Sequence, residues 1–183
     1  MNIEELKCFL RRHQIPFDLW SQGATKSIEH LLAELNAGEA GFTWSESGLL
    51  LRRISPIGIN VFGTLDGVLM RLVEQRQVFP DGRVRVRKLS TSLGEKCVFG
   101  EPVHQAARRA ALEELNVNID GFTVTGLELR TGRVSNSFPG LLTTDELVTL
   151  RVEMPHRLVR PQYVETQPGP LGKRVEFGWQ PVP

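Results

Sequence analysis

The order of hydrophobic patterns along the chain predicts an α+β protein. Two amphipathic helical patterns come first, strand-like segments follow, a third helix occupies residues 100–118, and further strands complete the chain. At 183 residues the chain has the length of one ordinary domain with a small appendage. We expect residues 1–41 to form a two-helix extension and residues 42–183 to form the main domain.

The composition is that of a globular protein able to bury a core, with 40% hydrophobic and 23% charged residues. A formal net charge of +1 gives no basic surplus, so nucleic acid is not expected as a partner. No run approaches the roughly 18 apolar residues of a membrane span, and the first residues lack the pattern of a signal peptide. Cys8 and Cys97 are far apart in sequence, which favours a reduced, cytoplasmic location.

The two N-terminal helices are predicted from their apolar faces. The first covers residues 3–14, and the second runs from about Lys26 to Asn36 with Thr25 as its N-cap. Two short helices cannot hold a core of their own. We therefore expect them to pack against the main domain or to form a homodimer or another protein interface.

The strand region contains one clear hairpin. A run over residues 49–62 is interrupted by Pro56, a second strand covers residues 68–79, and Pro80-Asp81-Gly82 supplies a turn. The return strand alternates strictly between valine and arginine, which predicts a row of arginines on one face. The row consists of Arg83, Arg85 and Arg87, with Lys88 adjacent and Arg71 and Arg76 on the partner strand.

Two interpretations of this arginine row stay open at the sequence level. The side chains can meet phosphates or an acidic partner, or they can simply protect an exposed strand edge from pairing. Glu74 on the partner strand is in position to pair with an arginine across the hairpin.

The segment after the third helix is predicted to contain two strands, near residues 122–130 and 146–153. A long loop separates them, and its Phe138-Pro139-Gly140 is interpreted either as a lid or recognition element or as a plain turn. A last strand is expected at residues 174–179. The proline-rich tail around it includes Pro168, Pro170 and Pro183.

The third helix, G-E-P-V-H-Q-A-A-R-R-A-A-L-E-E-L-N-V-N from Gly100 to Asn118, carries the most informative pattern. Pro102 suits a first helical position, and Asn116 suits a left-handed exit. Small residues recur at helical spacing, and Glu113 and Glu114 emerge close to the same side.

This segment resembles the Nudix box of the Nudix hydrolase superfamily, whose pattern is G-x5-E-x7-R-E-U-x-E-E-x-G-U with U an aliphatic residue. Glu101 falls on the first acid, and Arg109 falls on the arginine seven residues later. Glu113 and Glu114 fall on the paired acids, and Val117 falls on the closing aliphatic position.

Three positions between Glu95 and Val117 depart from the pattern. Glu95 occupies the place of the first glycine, with Gly94 one residue early, and Asn116 replaces the last glycine. Ala110 replaces the glutamate after the arginine, which removes a carboxylate that family members use for metal binding or as a base. A general base contributes about 10²- to 10⁴-fold to rate.

The resemblance implies a mixed β-sheet with flanking helices, an α/β/α sandwich, without evidence of the final helix of that family. It also implies Mg²⁺- or Mn²⁺-dependent hydrolysis of nucleoside diphosphate derivatives, since hard cations prefer oxygen ligands. Glu113, Glu114 and Glu101 would be metal ligands, and Arg109 would position an acid. Independently of the resemblance, the arginine row predicts substrate contact by Arg71, Arg83, Arg85 and Arg87. The simpler alternative is a solvated, salt-bridged helix face.

The absence of a carboxylate at Ala110 leaves two functional hypotheses open. The first is a divergent pyrophosphohydrolase with weakened or altered activity, in which a later acid compensates; the candidates are Glu128, Asp145, Glu146 and Glu165. The second is a non-catalytic Nudix-fold module that senses a ligand or binds a protein. RNA binding through the arginine row is a third, weaker hypothesis.

Overall fold

The computed structural model describes residues 1–22, 25–87, 89–167 and 172–182. Lys88 and three of the tail prolines, Pro168, Pro170 and Pro183, lie outside these described residues. The chain divides into two compact units. The first unit contains Met1–Pro56, Lys96–Glu101 and Glu128–Leu147, and the second contains Ile57–Glu95, Pro102–Leu127 and Val148–Pro183. The predicted boundary at residue 41 stays a prediction.

The secondary structure confirms the α+β class. The α-helices are α1 (Ile3–Arg12), α2 (Ile28–Asn36) and α3 (Val103–Leu115). The strands are β1 (Ala40–Trp44), β2 (Leu50–Ile54), β3 (Pro56–Leu65), β4 (Val68–Val78), β5 (Val84–Arg85), β6 (Leu93–Lys96), β7 (Thr123–Val134), β8 (Leu142–Glu153), β9 (Gln162–Thr166) and β10 (Arg174–Pro181). Short 3₁₀ turns cover Phe17–Leu19 and His156–Leu158. Within the described residues, no α-helix follows α3, and none of the helices has the length and apolar character needed to cross a membrane.

The predicted mixed sheet is confirmed by the directions of the strand pairs. In the first unit, β1 and β2 are antiparallel, whereas the start of β8 runs parallel to β2. In the second unit, the rest of β8 runs parallel to β3, and β4 is antiparallel to β3, β5 and β10. β9 completes this unit by pairing antiparallel with β10.

The N-terminal helices bury their apolar faces inside the first unit. Asn2 caps α1 in a reciprocal capping box with Glu5. The helix α2 begins two residues later than predicted, because Ser27 and His30 form the capping arrangement instead of Thr25. The core around these helices includes Leu6, Leu10, Leu31, Leu50, Phe138 and Leu141. A core thus forms from the helices together with β1, β2 and the segment before β8.

The predicted long loop between the two late strands is wrong. Both β7 and β8 extend toward each other, so only residues 135–141 connect them. Phe138 is 0% exposed and packs against Trp20 at a ring-centroid distance of 5.0 Å. Since its side chain is a core anchor, Phe138 is neither a lid nor a recognition element.

The predicted return strand of the hairpin is mostly wrong as well. The turn forms as expected, with Gly82 at φ +82° and the Phe79 N–H donating to the Arg83 carbonyl at 2.9 Å. The strand β5, however, contains only Val84 and Arg85. Because the strand ends after these two residues, alternation does not determine the direction of the Arg87 side chain.

Candidate functional site

The helix α3 forms where the sequence predicts it, with one change at its start. Pro102 is the N-cap residue rather than the first helical residue, with extended backbone angles of φ −60° and ψ 135°. Asn116 closes the helix in the left-handed conformation, with φ 52° and ψ 45°, as expected of a residue replacing glycine there.

One side of α3 consists of small, fully buried residues. Ala106, Ala107, Ala110 and Ala111 are all 0% exposed. Alanines allow close backbone approach, and α3 lies against β9 of the same unit. The position that would carry the missing glutamate is therefore part of the packed side of the helix.

Glu114 lies at the centre of an acidic cluster in the second unit. Burial and then the negative charges of Glu165, Glu95 and Glu74 raise the pKa of Glu114 to about 8, and the positive charge of Lys173 opposes this rise. The charges of three carboxylates, from β4, β6 and β9, therefore act on Glu114 of α3. We call Glu74, Glu95, Glu114 and Glu165 the acidic cluster.

Arg109 connects the cluster to the outer side of the helix. Its Nη1 lies 3.7 Å from Oε2 of Glu95 and 3.8 Å from Oε2 of Glu113, one helical turn away. The Glu113 side chain is 54% exposed, so this second contact is weak. The paired acids of the box thus have different surroundings: Glu114 faces the cluster, and Glu113 faces solvent.

Two further cations border the cluster. Arg87 donates from Nε to Oε1 of Glu74 at 2.8 Å, and its Nη2 binds Oε2 of the same carboxylate. Burial and then the charge of Arg87 lower the pKa of Lys173, whereas Glu74, Glu165 and Glu114 oppose that decrease. Lys173 is therefore influenced both by the positive charge of Arg87 and by the carboxylates of the acidic cluster.

Glu101 belongs to the first unit. Its carboxylate Oε2 accepts the N–H of Val98 at 3.1 Å, and its own N–H donates to the Val98 carbonyl at 2.9 Å. These contacts fix the chain just before α3. Metal binding by Glu101 stays a prediction.

The predicted arginine row does not form a common surface. Arg83 turns back to Asp81, with an Nε–Oδ2 distance of 2.6 Å, and Arg87 binds Glu74 as the cross-hairpin prediction anticipated. Arg71 donates to the Ser90 carbonyl at 3.4 Å, and Arg85 is exposed. The alternation of the row stops because β5 ends at Arg85, and among the described members of the row Arg87 contacts the acidic cluster. Substrate binding by Arg71, Arg83, Arg85 and Arg87 stays a prediction.

Among the four acids proposed to compensate for Ala110, Glu165 alone joins the cluster in the second unit. Asp145 is in the first unit and is bound by Arg130 and Arg133. Glu128 and Glu146 are exposed in that unit. Their roles in catalysis remain predictions without supporting geometry.

Sequence reasoning missed three members of the site. The sequence singled out Glu95 only because it occupies the place of the first glycine of the box. It singled out Glu74 only as a pairing partner for an arginine across the hairpin. No pattern marked Lys173. Strict alternation along β4 would place Glu74 and Gln77 on opposite faces. The register shift between Glu176 and Phe177 in the pairing with β10 brings them to one side instead, where Gln77 donates to Glu74 at 3.2 Å.

The donor chemistry of the cluster suits a hard divalent cation, although its geometry supplies few ligands. Five carboxylates, counting Glu113, lie near three cationic groups. Because a pKa of about 8 keeps Glu114 mostly protonated at pH 7, the excess is one negative charge. Within the described ranges, however, no group of three or more His, Cys, Asp or Glu residues is arranged to hold a metal ion. Magnesium characteristically takes one or two carboxylates and completes its coordination with water and substrate phosphates.

Comparison with known proteins gives similarity at the level of structure. No protein-family model matches the chain, and no curated protein matches it. Among solved structures, the chain is similar to the NUDIX domain of Shewanella oneidensis NrtR complexed with ADP ribose, at 15% identity and a TM-score of 0.43, covering 70% of this chain and 73% of that one. It is also similar to the C. elegans Ap4A hydrolase, at 18% identity and a TM-score of 0.33, covering 56% of this chain and 70% of that one. The M. smegmatis Nudix hydrolase RenU is similar at 20% identity and a TM-score of 0.33, covering 63% of this chain and 70% of that one.

Proposed function

We propose that this chain is a Nudix-superfamily protein that binds a nucleoside diphosphate derivative together with Mg²⁺ or Mn²⁺ at the acidic cluster, and that its hydrolytic activity is weak. The observation that carries the proposal is the position of Glu114. It occupies the second acid of the box on α3 and faces Glu165 and Glu95.

The charge of the cluster supports a cation that arrives with its ligand. Glu114 and Glu95 would hold the ion, and water and phosphate oxygens would complete its coordination. When bound, the ion would neutralise diphosphate charge and polarise the bond to be broken. Arg87 and Lys173 border the same carboxylates and would orient the phosphates through charge-assisted hydrogen bonds.

Weak hydrolysis follows from Ala110. A residue that is 0% exposed and carries only a methyl group can neither accept a proton nor bind an ion. Glu165 would be the candidate base, since its charge, on the separate element β9, helps to raise the pKa of Glu114. Loss of a general base alone lowers the rate by about 10²- to 10⁴-fold.

Binding and turnover are tested on the same protein. Calorimetric titration with nucleoside diphosphate sugars and dinucleoside polyphosphates, with and without Mn²⁺, should show metal-dependent binding, and chromatography should show slow release of a nucleoside monophosphate. Glu114→Gln should abolish metal-dependent binding. The matched control is Glu153→Gln, which changes an exposed acid outside the cluster. Ligand binding that is equal with and without metal would refute the proposed site.

A second candidate is a non-catalytic sensor on the same fold. It is favoured by the complete burial of Ala110 and by the exposure of Glu113, which leave Glu114 as the partly buried acid of the pair on α3. This candidate predicts metal-dependent binding without any product, even after prolonged incubation. Glu165→Gln separates the two, because it would lower product release under the first candidate and leave ligand binding alone under the second.

A further inference from the structure

The strand β7 is uncovered over most of its surface. Nearly every residue between Thr123 and Val134 is exposed, and within the described part of the chain the strand pairs only with β8. Its other edge therefore presents free N–H and C=O groups. In the first unit, two of its aliphatic side chains, Leu129 and Val134, are 74% and 72% exposed. An open strand edge is a template for pairing with another chain.

The two charged residues that flank Leu129 have hydrogen-bonding groups without a partner in the described part of the chain. Glu128 makes no hydrogen bond or ion pair within the described residues. Arg130 binds Asp145 through Nε and Nη2, which leaves its Nη1 without a partner in the same part of the chain. An unpaired carboxylate and an available guanidinium N–H thus flank one exposed leucine.

Antiparallel pairing of β7 with a second copy would satisfy both groups. A two-fold axis at Leu129 places Leu129 of one copy opposite Leu129 of the other, because the same surface is used on both sides of a two-fold interface. Glu128 then lies opposite Arg130 of the second copy, and the same pair occurs again across the axis. Opposite charges at directly facing positions stabilise a strand pair, whereas like charges destabilise it.

We propose that this protein forms a homodimer through the edge of β7, with Leu129 on the two-fold axis and two reciprocal Glu128–Arg130 pairs. The N-terminal helices do not offer an equivalent surface, since Leu6, Leu10 and Leu31 are fully buried in their own unit. The site of the proposed function is not involved, so the two proposals stand or fall separately.

Sedimentation of the full chain tests the assembly. We expect a monomer–dimer equilibrium between about 1 and 100 µM. Glu128→Arg places arginine opposite arginine and should raise the dimer Kd by about tenfold or more, while leaving Asp145 with both of its arginines. The matched control is Glu146→Arg, an exposed acid on the neighbouring strand β8. A chain that remains monomeric throughout this range overturns the proposal, whether or not it binds another protein.

Disulfide formation tests the register. In an antiparallel pair, facing Cα atoms are about 4.5 to 5.5 Å apart, which is within the range of a disulfide. In a Cys8→Ser background, Leu129→Cys should therefore give a covalent dimer under mild oxidation. Thr131→Cys should not, because the two copies of residue 131 would be about 13 Å apart along the strands. Equal cross-linking at both positions, or none at position 129 in a chain that sediments as a dimer, would overturn this arrangement.

Discussion

Arg87 and Glu74 form a two-point ion pair at the edge of the acidic cluster, with the Glu74 side chain only 3% exposed and the Arg87 side chain 32% exposed. The pair joins β4 to the segment after β5, where regular strand structure has already ended. The pair therefore anchors Arg87 to β4 within the second unit.

Removal of the arginine should therefore destabilise the second unit. We expect Arg87→Met to lower the free energy of unfolding by roughly 2 to 3 kcal/mol, because it leaves a buried carboxylate without its charged partner. Arg85→Met is the matched control, since Arg85 is exposed, and it should change stability little. Urea unfolding followed by circular dichroism measures both. Equal stability of the two variants would show that the pair contributes nothing.

The pH dependence of stability should reveal Glu114. Its folded pKa of about 8 lies above the unfolded value near 4.5, so its contribution to stability is fully present below about pH 4.5 and is lost as pH rises through about 8. Glutamine mimics the protonated acid. Glu114→Gln should therefore match the parent protein at low pH and exceed its stability above pH 8, by at most about 5 kcal/mol.

The measurement is thermal unfolding in metal-free buffer across that pH range. Glu113→Gln serves as the control, because its side chain is mostly exposed and should show no such divergence. Parallel pH profiles for the parent protein and Glu114→Gln would contradict the clustering of carboxylates around Glu114.

Glu34 should show the opposite pH dependence in the first unit. Burial opposes its ionisation, but the charge of Arg52 and the hydrogen bonds from Lys26 and Lys96 outweigh burial and lower its pKa to about 2. The stabilisation is therefore present above the unfolded pKa near 4.5 and is lost as pH falls toward 2.

Glu34→Gln should accordingly be less stable than the parent protein at pH 7, by roughly 2 kcal/mol or more, because Arg52 loses its buried counter-ion. The difference should shrink as pH approaches 2. Glu46→Gln, at an exposed position of the same unit, provides the comparison. A difference that is constant between pH 7 and pH 2 would exclude the ionised carboxylate as its cause.

Ala110→Glu should not restore a catalytic site. The side chain of residue 110 is 0% exposed among Ala106, Ala107 and Ala111, so a carboxylate there would be buried without a partner. We expect a loss of about 3 kcal/mol or more in unfolding free energy, and no gain in nucleotide turnover. Ala110→Leu is the control for size alone. A stable, faster Ala110→Glu variant would show that the helix can turn this position toward the cluster.

The helix α3 shows how far local sequence information extends. Its limits, its left-handed exit at Asn116 and its buried alanine face follow from short-range rules of capping and periodicity, and the structure agrees with them to within about two residues. The same rules failed for the arginines after Val84. Alternation predicts a face only while a strand continues, and the partner strand β4 determines where pairing stops.

The acidic cluster could not be assembled from the sequence alone. Glu74, Glu95, Glu114 and Glu165 are on four different elements. The packing of α3 against β9, the pairing of β10 with both β9 and β4, and the pairing of β3 with both β4 and β6 bring these elements together. Likewise, Phe138 looks like part of a loop until its ring is seen among the side chains of α1 and α2. Burial depends on contacts between residues distant in the chain.

The sequence by itself determined the α+β class, the position of α3, and the absence of a carboxylate at Ala110. These properties depend on residue identity and on spacing over one or two helical turns. Only the tertiary structure decided that Glu114 is partly buried beside other acids while Glu113 is exposed, and that Arg87 turns to Glu74. The reason is physical: the ionisation and partners of a side chain depend on the charges and solvent around it, and those are set by long-range packing.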